Sequence, residues 1–200
     1  MEQFTFFAMM SRMKYIERWA LMRNSRPENL SEHSLEVAMI SHVLCVIGNV
    51  RYQRKLNPEK AALLGLYHDA SEIITGDMPT PVKYFNYDLK SAYKEVESIA
   101  EEELLEKLPE DLAPAFEEIF HNDVDPLMKR LVKAADKISA LIKCIEEERA
   151  GNTEFLTAKR STEENLEKMA EELPEVRDFL RDFLPSYGKT LDELLESENV

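Results

Sequence analysis

Residues 64–81 read LGLYHDASEIITGDMPTP, and this stretch decides how the fold is read because polar residues interrupt an apolar helical pattern. The periodicity predicts one helix over about 58–75, with His68, Asp69 and Glu72 inside it. A buried helix normally excludes such groups, because an unpaired charge away from water is costly. Either this segment is exposed, or something at this point compensates the three polar side chains.

The rest of the chain has the composition of a helical protein. It has 200 residues, 44% of them apolar, which is enough for one domain with a real core. Only five glycines and several long patterned segments predict an all-α, single-domain bundle over residues 1–200. Residues 154–200 are predicted to be a packing layer or an oligomer surface of this domain. The predicted helices cover about 3–16, 31–48, 58–75, 87–108, 110–120, 126–150, 154–172 and 174–183, with a short last helix after Thr190.

The chain is strongly acidic, with a formal net charge of −14. This charge argues against nonspecific binding to nucleic acid or to anionic membrane surfaces, so neither partner is expected. An anionic ligand would have to be received by a local cluster of positive charge. Residues 1–30 contain such a cluster, and most of its members are expected to be solvated: Arg12, Lys14, Arg18, Arg23 and Arg26.

Cysteine usage and the absence of targeting signals favour the cytoplasm. Cys45 and Cys144 lie inside apolar helical patterns, which is typical of core thiols in a reducing compartment. Near the N-terminus the charges follow the apolar residues, which is the reverse of a secretory signal. We also expect no stretch that is long and apolar enough to cross a bilayer.

Two further predicted helices carry polar groups at or beside their buried faces. His33 opens the apolar stripe of helix 31–48, which continues with Val37, Ile40, Leu44 and Ile47. Asp136 lies beside the apolar stripe of helix 126–150, next to two alanines that would let a neighbouring helix approach closely. A lone histidine at such a position is most often a satisfied core or capping residue, whereas a carboxylate there is hard to explain as surface.

Four inward or edge-facing groups on three helices therefore need partners: His33, His68, Asp69 and Asp136. One divalent cation would satisfy all of them, and two imidazoles with two carboxylates suit Mn, Co, Fe, Ni or Zn better than calcium. The alternative is a set of His–Asp hydrogen bonds inside the bundle. His42 and His121 are interpreted as an ordinary helical histidine and a helix C-terminal histidine.

The order of these residues resembles the H…HD…D signature of the HD-domain metal-dependent phosphohydrolases, an all-helical fold. The likeness extends beyond the signature and looks like the bacterial 5′-deoxynucleotidases of this superfamily over nearly the whole chain. It is carried by three stretches: RWALMRNSRPENLSEHSLEVA, LYHDASEIITGDMPTPVKYF and LVKAADKISALIKCIEE. Members of that family hydrolyse deoxyribonucleoside 5′-monophosphates, tolerate different bases and form homodimers.

The resemblance implies a role for each matching residue. The metal ligands would be His33, His68, Asp69 and Asp136, and three of these (His33, Asp69 and Asp136) would also contact the substrate. Arg18 would orient the phosphate, and Trp19 would line the nucleotide site. The sugar would be held by a loop of four residues: Asp77, Met78, Pro79 and Thr80. Glu72 would be the acid that acts in catalysis.

Three of the non-ligand roles have a plainer alternative. Trp19 could be a core or interface residue, because that is the commoner fate of tryptophan. Asp77 could simply serve the turn that Gly76 and the prolines form. Glu72 could support His68 without handling a proton.

Three other functions remain open at this level. The chain could be an HD phosphohydrolase for another small substrate, such as a nucleoside triphosphate or a signalling nucleotide. It could be a non-catalytic, ligand-binding helical protein with a degenerate site, although the complete ligand set argues against this. A nuclease is disfavoured by the net charge and by the lack of an extended basic stretch.

Overall fold

The structure is a computed structural model that describes residues 3–83, 85–121 and 124–196. Within these ranges it contains no β-strand, so the all-α prediction is confirmed. The α-helices are α1 (Phe6–Met10), α2 (Leu30–Tyr52), α3 (Pro58–Tyr67), α4 (Glu72–Thr75), α5 (Thr80–Lys83), α6 (Tyr87–Leu105), α7 (Ala113–Phe120), α8 (Pro126–Arg149), α9 (Leu156–Glu172), α10 (Pro174–Asp182) and α11 (Leu191–Leu195). Short 3₁₀ helices cover Ser11–Tyr15, Thr153–Phe155 and Leu184–Ser186.

Three helices, α2, α3 and α8, form the centre of the fold, and each begins at a side-chain cap. Asn29 caps α2 and forms a reciprocal capping box with Glu32. Asn57 caps α3 and Asp125 caps α8, and in both helices a proline follows at the first helical position. These caps satisfy backbone N–H groups that would otherwise lack partners, so the start of each central helix is well defined.

A glycine lets α2 and α3 approach each other closely. A Cβ atom at Gly65 would lie 2.8 Å from the Cα atom of Ala38 on α2, which is closer than side chains allow. This contact brings the C-terminal end of α3 onto the first turns of α2. The rings of His33 and His68 consequently lie with their centroids 5.2 Å apart.

The apolar core has two parts. The larger part lies among α2, α3, α8, α9 and α10 and includes Leu44, Leu131, Ile138, Leu166 and Val176. The smaller part joins α1 to α6 and α7 through Phe6, Leu104, Leu108 and Phe120. The helices α9 and α10 thus share the core of α2 and α8.

Two predicted helices differ from the structure in continuity. The predicted helix over 58–75 is interrupted, because the chain turns at residues 68–71 before α4 begins. The Nδ1 atom of His68 lies 2.7 Å from the carbonyl oxygen of Gly65, the acceptor that the amide of residue 69 would use in a continuous α-helix. The predicted helix over 3–16 divides into α1 and a 3₁₀ turn.

The expectation that no stretch could cross a bilayer is wrong by length and composition alone, because α2 is long and apolar enough to do so. However, 56% of the apolar window in α2 is buried inside the protein. Its buried face carries Val37, Ile40 and Leu44, as predicted, and packs against α3 and α8. The apolar character of α2 is therefore explained by its position in the core.

Both cysteines are free and fully buried, as predicted for core thiols. Burial raises the pKa of each thiol, Cys45 and Cys144, to about 12. Neither thiol is therefore a thiolate at neutral pH, and neither is suited to nucleophilic chemistry.

Candidate metal centre and active site

Three of the predicted inward-facing residues bring ligand-type atoms into one compact group. The first turn of α2 supplies His33, the turn after α3 supplies His68, and the middle of α8 supplies Asp136. One nitrogen or oxygen atom of each side chain lies within 4.8 Å of the other two. The three atoms are close enough for one cation to contact all of them.

Asp69 joins this group from the same turn as His68. Its Oδ2 atom lies 2.9 Å from Nε2 of His68 and 3.6 Å from Nε2 of His33. Oδ1 of Asp136 lies 3.3 Å from the same nitrogen of His33. The structure therefore brings together all four of the predicted ligand residues, although Asp69 lies outside the tightest group of three.

The Nε2 atoms of both histidines are buried and lack a hydrogen bond within the described part of the chain, although carboxylates lie close. In His68 the proton can be assigned, because Nδ1 must donate to the carbonyl oxygen of Gly65, which only accepts. In the neutral ring, Nε2 then carries a lone pair. A lone pair facing a carboxylate is stabilised when a cation lies between them, so these residues fit a divalent transition metal. Internal His–Asp hydrogen bonds alone leave both nitrogens unsatisfied.

The electrostatics of this group also favour a cation. Burial works to lower the pKa of His68, but the carboxylate of Asp69 outweighs it and the pKa is raised. Burial opposes ionisation of Asp69, yet the charge of His68 lowers the pKa of Asp69 to about 2. The pKa of Asp136 is lowered as well, against its burial, by the adjacent imidazole of His33 and by the charge of Lys137. The carboxylates thus stay ionised and stabilise positive charge between them.

Glu72 lies at the start of α4 and is only 4% exposed. Its Oε2 atom is buried and finds no hydrogen-bond partner among the described residues. Burial, together with the charges of Asp69 and Asp77, raises the pKa of Glu72 to about 9. Glu72 therefore carries a proton at neutral pH in the absence of a cation, unlike the carboxylates of the ligand group.

Arg18 is the cation of the N-terminal cluster that turns inward. Its guanidinium lies 3.3 Å from Glu28, 3.5 Å from Asp69 and 3.9 Å from Asp77, and its side chain is only 11% exposed. Burial works to lower the pKa of Arg18, but these carboxylates raise it overall. The four other members of the cluster are exposed, as expected: Arg12, Lys14, Arg23 and Arg26.

Trp19 lies beside Arg18 in a strained backbone conformation, with φ at +59°. Bulky side chains rarely adopt this left-handed region, and such strain often marks a functional site. The indole Nε1–H donates to Oε2 of Glu28 at 2.8 Å, and the ring packs against Phe155 with centroids 5.3 Å apart. Oε2 of Glu28 also accepts from Nε of Arg18, so one carboxylate orients both side chains.

Glu28 was missed by the sequence analysis, and its only signal was its position between Arg18 and the cap of α2. Arg18 and Trp19 belong to the N-terminal loop, residues 16–29. Backbone bonds close this loop at its base, where the amide of Arg18 donates to the carbonyl of Glu28 at 2.9 Å. The carboxylate of Glu28 also closes the loop, because it bonds the side chains of Arg18 and Trp19.

The far end of the N-terminal loop is held by a buried ion pair on α8. Glu147 is 2% exposed and accepts from the backbone amides of Ser25 and Arg26 at 2.9 and 3.3 Å. It also pairs with Lys143, whose Nζ donates to the carbonyl of Arg26 at 2.6 Å. Nδ2 of Asn152 donates to the carboxylate of Glu147 and to the backbone carbonyl of Arg23, at 2.7 Å in both cases. This pair anchors the loop, and the sequence analysis did not predict it.

A second segment, the proline loop (residues 76–80), meets the N-terminal loop at the site. Asp77 is the residue of this loop that contacts Arg18. Met78 and Pro79 are half-buried, and Thr80 is exposed at the start of α5. Burial raises the pKa of Asp77 even though Arg18 opposes this effect. The structure thus brings Asp77 to the ligand group, but it gives the other three residues no hydrogen bond or ion pair with that group among the described contacts.

The base of the proline loop is fixed to α6. Gly76 adopts a left-handed φ of +74°, and its carbonyl oxygen accepts from the hydroxyl of Tyr93 at 3.2 Å. Lys83, the last residue of α5, bonds Glu97 at 2.7 Å, and its Nζ lies 4.8 Å from the centre of the Tyr93 ring. Tyr93 is 5% exposed, so it connects the loop to α6 as a buried anchor.

A cavity of about 410 Å³ opens beside His68, between α3, α6, α7 and α8. Its wall combines apolar side chains (Leu64, Tyr67, Ile119, Phe120 and Val132) with a few polar ones (His68, Ser98, Glu101 and His121). This size is within the range of small-molecule sites. His121 ends α7, as predicted, and bonds Glu102 at 2.8 Å, while His42 is exposed on α2.

Comparison with known proteins gives a consistent result. The profile of the YfbR-like 5′-deoxynucleotidase family matches residues 5–187. A protein named 5′-deoxynucleotidase from Erwinia tasmaniensis is 49% identical over 193 residues, which cover 94% of this chain and 95% of the relative.

Solved structures share the fold at lower identity. An HD-domain phosphohydrolase from Listeria innocua superposes with a TM-score of 0.80 and 22% identity, over 92% of this chain and 88% of that one. The HD phosphohydrolase DatZ of cyanophage S-2L, solved with dA and one catalytic Zn²⁺ ion, has a TM-score of 0.67 and 21% identity, over 94% of this chain and all of its own. At these identities the likeness supports the fold.

Proposed function

Because this chain belongs to the YfbR-like 5′-deoxynucleotidase family, we propose that it hydrolyses 2′-deoxyribonucleoside 5′-monophosphates to deoxynucleoside and phosphate. The observation that carries the proposal is the position of Arg18. A buried guanidinium lies 3.5 Å from Asp69, at the edge of a group that fits a divalent metal. Hydrolysis of a phosphomonoester requires stabilisation of the negative charge on its oxygens, and a metal ion and a guanidinium can each provide it.

The proposed metal ligands are His33, His68, Asp69 and Asp136, and the proposed cofactor is one divalent transition metal such as Co, Mn or Zn. When bound there, such an ion polarises a phosphoryl oxygen and lowers the pKa of water. The two histidines would provide Nε2, the ring atom that finds no hydrogen-bond partner among the residues described. We propose that His33, Asp69 and Asp136 also contact the phosphate.

Arg18 is proposed to bind and orient the phosphate. Its planar guanidinium offers paired N–H donors, which match two phosphate oxygens better than an ammonium does. Glu28 fixes the direction of the guanidinium by accepting from Nε, so Nη1 is left to face Asp69 and Asp77. We therefore assign Arg18 to substrate binding and to stabilising charge on the phosphate.

Glu72 is proposed to handle the proton. In hydrolysis, the oxygen of water bonds to phosphorus and gives up one proton, the bond from phosphorus to O5′ breaks, and O5′ takes up one proton, so the net proton count is unchanged. Glu72 is buried, its Oε2 atom finds no hydrogen-bond partner within the described ranges, and its raised pKa favours the protonated form that can donate to such an oxygen. Support of His68 alone would not require a carboxyl group without a partner.

The sugar is proposed to lie between Trp19 and the proline loop. Trp19 is bulky enough to leave no room for a hydroxyl at C2′, and Asp77 would accept a hydrogen bond from the 3′-hydroxyl. Met78, Pro79 and Thr80 would complete this wall. The cavity of about 410 Å³ beside His68 has room for a nucleobase, and its wall offers both apolar and polar side chains to it.

The remaining features of the proposal concern the whole chain. We propose that residues 1–200 act as one domain, with 154–200 as its C-terminal layer, and that the protein is a cytoplasmic homodimer. The proposal includes no nucleic-acid and no membrane partner, because the net charge of −14 disfavours both.

The direct test is phosphate release from a matched panel: the deoxy- and ribonucleoside 5′-monophosphates of each base, together with deoxynucleoside triphosphates. We expect the deoxy monophosphates to be hydrolysed fastest with every base. Exclusion of one hydroxyl by shape gives a preference on the order of 10²-fold or less. Trp19→Ala should narrow this preference and leave the metal content unchanged. Equal rates on dAMP and AMP, or faster release from triphosphates, would contradict the proposal and favour another HD phosphohydrolase activity.

Variants of Arg18 test the observation on which the proposal rests, the position of its guanidinium beside the ligand group. Arg18→Ala should impair turnover, and Arg18→Lys should rescue it poorly because an ammonium cannot make paired hydrogen bonds. Full activity of the lysine variant would mean that position 18 supplies only diffuse charge. Arg23→Ala is a matched control, because Arg23 belongs to the same loop and is exposed.

A further inference from the structure

A chain of hydrogen bonds runs from His33 through Ser139 to Glu36, one turn further along α2. Nδ1 of His33 lies 3.0 Å from Oγ of Ser139 on α8, and that hydroxyl donates to Oε2 of Glu36 at 2.6 Å. His33 and Ser139 are fully buried, whereas Glu36 is half-buried one turn further along α2. The chain therefore starts behind the predicted ligand group and ends near the surface.

The direction of the protons in this chain follows from its donors and acceptors. A serine hydroxyl has one proton, and here that proton is directed at Glu36. Oγ must then accept from His33, so the proton of the neutral imidazole is on Nδ1. The other ring nitrogen, Nε2, keeps its lone pair, and it is the atom that lies 3.3 Å from Asp136 and 3.6 Å from Asp69.

We propose that Ser139 and Glu36 are positioning residues that fix the tautomer and the orientation of His33 for a divalent metal. Hydrogen bonding of the outer ring nitrogen to an acceptor, and through it to a carboxylate, makes the inner nitrogen a better metal ligand. His68 obtains the same support from the backbone carbonyl of Gly65, which no side-chain substitution removes. The inference rests on the proposed metal site, and it assigns a function to two residues that do not touch the metal.

The alternative is that Ser139 only fills the contact between α2 and α8. The chain offers a matched control for this alternative. Ser41, also on α2, is fully buried, and its hydroxyl has no hydrogen-bond partner among the described residues. Ser41→Ala therefore deletes a buried hydroxyl without touching the hydrogen-bond chain.

The primary test is the affinity for Co²⁺ or Zn²⁺ alone, measured by competition with a chromogenic chelator. Ser139→Ala should weaken binding by about 10- to 100-fold, which is the usual effect of losing such a partner. Ser139→Thr should retain most of the affinity, because it keeps the hydroxyl. Glu36→Gln should cause a smaller loss, because an amide oxygen is a weaker acceptor, and Ser41→Ala should match the wild type.

The outcomes separate this inference from the proposed function. If Ser139→Ala and Glu36→Gln bind the metal as tightly as Ser41→Ala, the positioning role is wrong while the metal site stands. If the wild-type protein binds no metal, the proposed function fails, and the inference fails with it. Should Ser139→Ala not fold, Glu36→Gln at its half-buried position decides the question by the same criterion.

¹⁵N NMR of the metal-free protein provides a second measurement, and a purely packing role of Ser139 would not affect it. The imidazole ¹⁵N shifts of His33 should report a proton on Nδ1 in the wild type and in Ser41→Ala. In Ser139→Ala, where this acceptor is lost, the ring should shift toward the tautomer that is protonated on Nε2. A wild-type His33 with its proton on Nε2 would overturn the proposal.

Discussion

The two walls of the site are built in different ways. The ligand wall consists of residues on α2, α8 and the turn after α3, all backed by the apolar core. The substrate wall consists of Arg18 and Trp19 on the N-terminal loop and Asp77 on the proline loop, and these segments lie outside the long helices. The ligand wall is thus positioned by helix packing, whereas the substrate wall is positioned by a few polar anchors.

This difference predicts two classes of variant. Changes in the ligand wall should remove metal and activity together. Changes in the anchors should impair substrate affinity or turnover while the metal content stays constant. Three anchors have been identified in the structure: Glu28 for Arg18 and Trp19, Glu147 for the far end of the N-terminal loop, and Tyr93 for the proline loop.

The largest effect is expected in the ligand wall. His68→Ala or Asp69→Ala should abolish bound metal and activity together, because each change removes a proposed ligand. Metal analysis of the purified variants, alongside phosphate release from dAMP, checks this. His42→Ala is the control, because His42 is exposed on α2. Full metal occupancy in either ligand variant would rule out this assignment.

Glu72 should separate metal binding from turnover. Glu72→Gln keeps the size of the side chain but cannot exchange a proton, so turnover should fall by about 10²- to 10⁴-fold. Metal content and nucleotide binding should be retained, as measured by metal analysis and by calorimetric titration with dAMP. Near-normal turnover would reduce Glu72 to a supporting residue of the ligand wall.

Glu147 tests whether the far anchor of the N-terminal loop matters. Glu147→Ala leaves the amides of Ser25 and Arg26 and the buried Lys143 without their partner, so the loop should loosen. Misplacement of Arg18 by about 1 Å would cost on the order of 10²-fold in kcat/KM. Trypsin should also cleave faster after Arg23, which lies in this loop.

The control for that experiment is Glu148→Ala, which removes the neighbouring but exposed carboxylate. Its trypsin sensitivity and kcat/KM should equal those of the wild type. If Glu147→Ala behaves like the control in both measurements, the N-terminal loop does not depend on this anchor.

The smallest effect is expected at the proline loop. Tyr93→Phe removes the hydroxyl that donates to Gly76, a bond worth about 1 kcal/mol, so KM for dAMP should rise roughly fivefold. Metal content should not change. Tyr87→Phe is the control, because Tyr87 lies on the same helix and is 82% exposed. An unchanged KM in Tyr93→Phe would show that this hydrogen bond from α6 does not position the proline loop for substrate binding.

The sequence was most informative about the ligand wall. The buried stripe of α2 correctly carries His33 inward, and the stripe of α8 has Asp136 beside it, because helical periodicity is a local property of the chain. The continuous helix over 58–75 was wrong because a side-chain bond from His68 to Gly65 competes with the helix at that point. Periodicity contains no information about such a bond.

The substrate wall was less predictable for a physical reason. Composition located a cluster of five cations but could not separate Arg18 from the others, and only the family resemblance did so. Glu147 is more than 120 residues from its partners Ser25 and Arg26, so no local pattern connects them. A buried Lys143–Glu147 pair at i, i+4 is the one signal that could have marked this anchor.

The central claim is that this cleft is a metal-dependent site for deoxynucleoside monophosphates. The most direct measurement is phosphate release from dAMP after chelation and gel filtration, followed by addition of single metal ions. We expect no release from the stripped protein, and recovery with at least one of Mn²⁺, Co²⁺, Fe²⁺, Ni²⁺ or Zn²⁺ but not with Ca²⁺. Full activity in verified metal-free protein would contradict the account.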